Sequence, residues 1–380
     1  MSNPLKCIYS LKSVPNATFN SQEHIIPACI GGKKRLPHGY VSDEVNALFS
    51  KLELSFARKT EIAQFRAFYG PGKSGSLTFQ NATESEIHII ENIDGGNIRL
   101  GYIKLGVPYS ADCIFIDKNS GNVGISLRPR EDTNNDRLLA NFVGQIKAFS
   151  VDKPINIITS DRLNDYEYIL GIHNNKQYIA YNPTYNIETV KQEMIRFVSA
   201  FVEQMTVDKI NEMCQGANNP EINSSQVTMD MTATFNLNDR YRVLAKIALN
   251  SLAYLRGQDF VLTREFDPIR KAIYSGEGMA EYFDQMSYQE SFGDILRDSE
   301  AQIEQKILSD HYHCISFFSA LGKQKCAVEL YGSDRPHIIN LAETIKKPVF
   351  DVFICDWRTE VEMNLIDYIT SFHMEIDKSN

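Results

Sequence analysis

From Ser42 to about Phe68 the apolar positions Leu48, Leu52, Phe56 and Ala63 fall near helical spacing, and Ser42 or Asp43 can cap the start. The residues before that helix are rich in turn signals: Val14-Pro15-Asn16-Ala17, Gly31-Gly32 and Leu36-Pro37-His38-Gly39. Gly70-Pro71-Gly72-Lys73-Ser74-Gly75 then breaks the chain, which predicts a first domain over residues 1–70. Beyond it the pattern turns to short apolar runs. Strands are predicted at Ser76–Phe79, Glu86–Glu91, Asn97–Leu105, Cys113–Asp117, Val123–Leu127, Pro154–Thr159 and Tyr166–Tyr181. Asp94-Gly95-Gly96 and Asn119-Ser120-Gly121-Asn122 mark turns between them.

A helix is expected from Glu188 to Cys214, a loop at 215–220, and a strand at Ser225–Phe235. The helix predicted from Asp239 to Arg256 has Leu244, Ala248, Leu252 and Leu255 as its apolar stripe and Gly257 as C-cap. Arg242, Lys246 and Asn250 line another face of it at four-residue spacing. That face is expected to be solvated, with a phosphate or ligand contact as the alternative. Ile315–Ala320, Cys326–Tyr331 and Val349–Cys355 read as strands before a helix-like end. The expected class is α+β: a small N-terminal module followed by a larger mixed body over 76–380, with a possible subdivision near 216–224.

Composition narrows the class of protein. Of 380 residues, 43% are hydrophobic and 23% charged, as in ordinary globular domains. No run approaches the ~18 apolar residues of a membrane span, and the N-terminus lacks an apolar signal core. Seven scattered cysteines (Cys7, Cys29, Cys113, Cys214, Cys314, Cys326, Cys355) fit free thiols in the cytoplasm better than a disulfide framework. The formal net charge of −9 argues against nucleic acid until it is divided. Residues 1–75 hold ten Lys/Arg against five Asp/Glu, a net +5, which leaves −14 for the rest. A basic module on an acidic body points to a polyanion as partner for the module.

The segment richest in chemistry runs Cys7-Ile8-Tyr9-Ser10, Glu23-His24-Ile25-Ile26-Pro27, Gly31-Gly32-Lys33-Lys34-Arg35, and Ser42-Asp43-Glu44-Val45-Asn46. One-metal phosphodiester cleavage needs a neutral imidazole to activate water, oxygen or nitrogen ligands for a divalent cation, and basic groups for the backbone. Neighbours on a flat strand point to opposite faces. Glu23 and His24 can therefore serve one phosphate only if the strand departs from flatness.

This segment resembles the HNH endonucleases of the ββα-metal fold. The relevant subgroup reads Cys-x-x-Cys, Glu-His-Ile-Ile-Pro, Gly-Gly and Cys-x-x-Cys-Asn. The resemblance covers about residues 5–70. It implies His24 as general base, Glu23 and Asn46 as ligands of Mg²⁺ or Mn²⁺, and Lys33, Lys34 and Arg35 as a loop positioning nucleic acid, DNA first. The chain departs from the family at the structural zinc. Cys7 is kept, but Ser10, Ser42 and Val45 stand at the other three positions. Serine is a poor zinc ligand and valine none, and Cys29 has the wrong spacing, so no structural zinc is expected. Packing against the acidic body would have to replace that brace.

Other motifs carry less. The His311-Tyr312-His313 pair lacks a second ligand pair, and the glycine-rich stretch 70–75 lacks the order of a phosphate loop. Arg242–Asn250 with Phe266-Asp267-Pro268-Ile269-Arg270 loosely resembles the C-terminal parts of bacterial HNH proteins. Residues 76–380 hold no motif tied to chemistry, so small-ligand regulation or a protein partner stays open there. Two functions follow: a metal-dependent endonuclease, or a catalytically degenerate nucleic-acid-binding or protein-interaction protein.

Overall fold

In the computed structural model the helical stretch after Ser42 divides in two: α1 (Asp43–Lys59) and α2 (Ile62–Tyr69). Thr60 makes the break. Its hydroxyl donates to the Phe56 carbonyl at 2.6 Å and accepts the Ile62 N–H at 3.2 Å, so one side chain ends the first ladder and starts the second. The buried stripe of α1 is Val45, Phe49, Leu52 and Phe56, displaced from the predicted one because Leu48 is only half-buried. The structure describes residues 5–72, 75–92, 98–117, 119, 123–127, 135–150, 152–164, 167–204, 227–229, 235–284, 312–332, 336–368 and 370–371. The loop expected at 215–220, the subdivision near 216–224, the turn at 94–96, most of that at 119–122, Cys214 and His311 lie outside them.

The class is α+β, and the chain divides differently from the expected 1–70 and 76–380. Met1–Thr83 and Ala233–Asn380 form one compact unit, and Glu84–Thr232 forms the other. The cause is a single helix, α5 (Leu237–Arg256). Every residue from Arg242 to Ala253 is buried, so neither the N-terminal segment nor the C-terminal sheet alone would cover it. Asn236 caps its start by accepting from the Asn238 and Asp239 N–H groups, and Gly257 ends it at φ 86. One apolar core joins Ile8, Ile25, Val45 and Phe49 to Leu244, Ile247 and Leu252 of α5 and to Ile315, Val328 and Phe353.

Those last three lie in an antiparallel sheet of order β12-β11-β10-β13-β14. Its strands are β10 (Tyr312–Ala320), β11 (Lys323–Leu330), β12 (His337–Ala342), β13 (Asp351–Asp356) and β14 (Val361–Asn364). Helix α6 (Asp267–Ser275) follows α5 and supplies carbonyls to Arg242.

The unit from Glu84 to Thr232 has its own two cores and two sheets. One has the order β3-β2-β1-β9: β1 (His88–Asn92), β2 (Ile98–Lys104), β3 (Val107–Ser110) and β9 (Val227–Met229). The other has the order β5-β4-β7-β8-β6: β4 (Asp112–Asp117), β5 (Val123–Ser126), β6 (Ile155–Thr159), β7 (Glu167–His173) and β8 (Lys176–Tyr181). Helices α3 (Asn135–Lys147) and α4 (Ile187–Gln204) complete it. The single strand expected over 166–181 is a hairpin. Asn174 and Asn175 both take positive φ, 48 and 60, as a tight two-residue turn requires. The strand expected at Ser76–Phe79 is absent. The Ser76 hydroxyl accepts the Thr78 N–H at 3.2 Å, and a 3₁₀ turn runs over Phe79–Asn81.

Candidate functional site

Glu23 and His24 sit on an extended segment paired antiparallel with residues 34–36. The His24–Arg35 bridge is flanked by Ile25 N–H to Lys34 O at 3.0 Å and Leu36 N–H to Glu23 O at 2.8 Å. The Gly31-Gly32 turn joining the two segments is set by packing. A Cβ on Gly32 would run into the Ile26 carbonyl, and one on Gly31, at φ 105, into Trp357. Helix α1 follows, carrying Asn46 and Glu53 seven residues apart and so on one face.

Alternation along the strand separates the two expected catalytic residues. Glu23 points inward and is 3% exposed; His24 is half-buried. The Glu23 carboxylate accepts from the Lys246 ammonium of α5 at 2.5 Å, and the same ammonium bonds to Glu53 of α1. Lys246 is fully buried, 5.5 Å from the Phe49 ring centroid. Burial alone would lower its pKa. The Glu23 and Glu53 carboxylates outweigh that and hold its pKa above the ordinary lysine value. Burial raises the Glu23 carboxyl, which Lys246 opposes, and the second carboxylate adds to the rise.

Helix α5 reaches the same strand again one turn on. Asn250 donates to the His24 carbonyl at 2.9 Å and accepts from the Tyr9 hydroxyl at 2.6 Å. The His24 ring accepts from Arg35 Nε at 3.3 Å. Burial, then the nearby Arg35 and Lys246 charges, lower its pKa, so it is neutral at pH 7. Asn46 donates to the Ser21 hydroxyl at 2.9 Å, and Ser21 in turn bonds to Asp43. Strand residues Ser21 and Glu23 thus meet α1 through Asn46 and, by way of Lys246, Glu53.

The Lys33–Arg35 loop is only partly available to a partner. The Lys34 ammonium is committed to Tyr254 at 2.8 Å and the Glu362 carbonyl at 2.7 Å. Its N–H and that of Lys33 are held by the Glu362 carboxylate, and Lys33 pairs with Glu360 at 3.1 Å on the surface. Arg35 is exposed. Of the positions where the family that the segment resembles holds zinc, Cys7, Ser42 and Val45 are fully buried here, and Cys7 and Val45 belong to the core. Burial pushes the Cys29 thiol up to about 11, away from the thiolate a metal needs.

No family model, curated protein or solved structure matches this chain. The chemistry therefore rests on the geometry. As arranged, a Mg²⁺ or Mn²⁺ ion does not fit on Glu23 and Asn46. The Glu23 carboxylate is inside the protein with an ammonium on it.

Sequence reasoning gave no role to Tyr9 and Glu53, and it singled out Lys246 and Asn250 without their partners. The face of Arg242, Lys246 and Asn250, expected to be solvated, is buried. The signal was present. Val243, Leu244, Ala245, Ile247, Ala248 and Leu249 are apolar all around the helix, and such a helix is buried along with any polar residue it carries. His313 of the His-x-His motif is a core imidazole, bonded to the Ile30 carbonyl and the Tyr331 N–H.

Proposed function

We propose that this chain binds nucleic-acid backbone, DNA first, through its basic N-terminal segment, and does not hydrolyse it with a metal. One observation carries this reading: the Lys246 ammonium lies on the buried Glu23 carboxylate, where a nuclease of the kind the segment resembles would need a divalent cation. The order of elements still suits a backbone-binding role. An antiparallel pair leads into α1, whose exposed residues include Lys51, Arg58 and Lys59, with Arg35 exposed beside His24. His24 takes the Nε–H of Arg35, so the two terminal amino groups of the guanidinium suit paired phosphate oxygens. The surface pairs Lys33–Glu360 and Lys12–Glu44 contribute little to stability and can exchange for phosphate. A cytoplasmic setting agrees with this reading.

The test is a gel shift over a range of salt, run beside plasmid cleavage in Mg²⁺ and Mn²⁺. DNA should be retained and released as salt rises, with the log–log slope reduced by about 1 in Arg35→Ala. Plasmid should stay intact with wild type and with His24→Ala alike. Nicking by wild type that is lost in His24→Ala would reject the proposal in favour of the endonuclease. That second reading has its own support: among the described residues Glu23 Oε2 is buried without a hydrogen-bond partner, and the His24 imidazole is neutral. It requires Lys246 to leave Glu23, after which His24 could accept a proton from water and Glu23 and Asn46 could hold Mg²⁺ or Mn²⁺.

A further inference from the structure

Helices α2 and α5 and strands β11 and β12 line a cavity of about 210 Å³ within the unit that holds the basic segment. Its apolar walls are Ile62 and Phe65 of α2, Leu244 of α5 and Leu330 of β11. Its polar side is Glu61, Arg240 and His337, in that order, because Arg240 bonds to both of the others. Arg240 Nε donates to Glu61 Oε1 at 2.7 Å. Its Nη2 donates to the same oxygen and, at 2.8 Å, to His337 Nε2. The carboxylate and guanidinium charges cancel. Burial, and then the Arg240 charge, push the His337 pKa down to about 4, so this imidazole is neutral with its proton on Nδ1.

The network leaves three positions unspent among the described residues. Glu61 Oε2 is an acceptor, and Arg240 Nη1 and His337 Nδ1–H are donors. None of them is sealed from solvent. Apolar walls and a polar side without net charge suit an uncharged ligand. The volume is below the roughly 300 Å³ at which sites for drug-sized molecules begin, which leaves room for one flat heterocycle. The ligand edge that satisfies the three groups in their order reads donor, acceptor, acceptor. Cytosine presents it as its amino group, N3 and O2, and guanine as N1–H, O6 and N7. Adenine and uracil instead place a donor between two acceptors, which sets N–H against N–H at Arg240.

We infer that this cavity is a nucleobase pocket selective for cytosine or guanine, with Glu61 accepting the base N–H and Arg240 and His337 donating to its two acceptors. A free nucleotide and an unpaired base of a bound strand share this chemistry, and the second source rests on the backbone-binding reading above.

Calorimetric titration with cytidine, guanosine, adenosine and uridine tests the edge. Cytidine or guanosine should bind at least about tenfold tighter than adenosine and uridine, because a mismatched edge leaves donors unpaired. Cytidine dimethylated on its amino group and guanosine methylated on N1 lack the N–H and should lose that advantage with the protein unaltered. Glu61→Ala and His337→Phe should each lose it too, with folding checked by Tm. Equal binding of all four nucleosides overturns the inference. So does the absence of heat from any of them at millimolar concentration, or a preference that survives the methylated ligands. A gel shift with oligo(dC) against oligo(dT) then separates the sources. A preference for oligo(dC) that Glu61→Ala removes places a strand base in the pocket, and a preference confined to nucleosides assigns it to a free nucleotide. The nucleoside titration involves no phosphate backbone, so its failure is distinguishable from a failure of backbone binding.

Discussion

At the scale of single residues, buried polar groups hold the strand that carries Glu23 and His24 by bonds from distant chain. His313 of β10 is an example. Its Nδ1 accepts the Tyr331 N–H at 3.0 Å, so the ring proton sits on Nε2 and donates to the Ile30 carbonyl at 2.8 Å, inside the turn of the candidate site. Burial pushes this imidazole down to about 4 from an ordinary 6.5. The sign follows from linkage. The unfolded chain takes up a proton at 6.5 while the folded chain resists until about 4, so this residue's contribution to stability falls as pH drops through that window. Tm is expected to decline from pH 6.5 towards pH 4. His313→Asn should be less stable at pH 7 but flatter across that range. An equally steep decline in the variant would show that His313 is not the group responsible.

At the scale of elements, α5 braces the strand of the candidate site from outside the N-terminal segment. It reaches the strand through Lys246 and Asn250 and grips the end of α6 through Arg242. Removing one partner of such a buried network leaves a stranded polar group, at a cost of about 1–3 kcal/mol for a neutral bond. Asn250→Leu strands the His24 carbonyl and leaves the Tyr9 hydroxyl only the Lys246 carbonyl at 3.5 Å. It should lower stability by that amount and speed hydrogen exchange at the Ile25 and Leu36 amides before that of α1. Unchanged exchange there would mean that α5 does not position the strand. Much of this element's own structure was legible from sequence: its span, its apolar stripe and its glycine cap. The function of its polar stripe was not. Lys246 meets Glu23 across more than two hundred residues, and periodicity reports which face a residue occupies without naming what covers that face. The divided helix after Ser42 was hidden for a related reason, since Thr60 acts through a side-chain bond that apolar spacing does not register.

At the scale of the molecule, the N-terminal segment is half of a unit whose other half begins about 150 residues later, with a second folded unit between them. Turn signals predicted a break near residue 70, whereas the first stretch of the unit runs on to Thr83. Only the core that Ile25 and Val45 share with Leu252 and Phe353 reveals that the chain returns to close it. This closure also carries the functional argument, because it delivers Lys246 to Glu23. The most direct measurement is a crystal of the wild-type chain soaked in MnCl2, with anomalous scattering used to locate manganese. The account predicts no manganese at Glu23 and the Lys246 nitrogen in hydrogen-bond contact with both carboxylates. Manganese bound to Glu23 and Asn46, with Lys246 displaced, would contradict it and restore the metal-dependent nuclease.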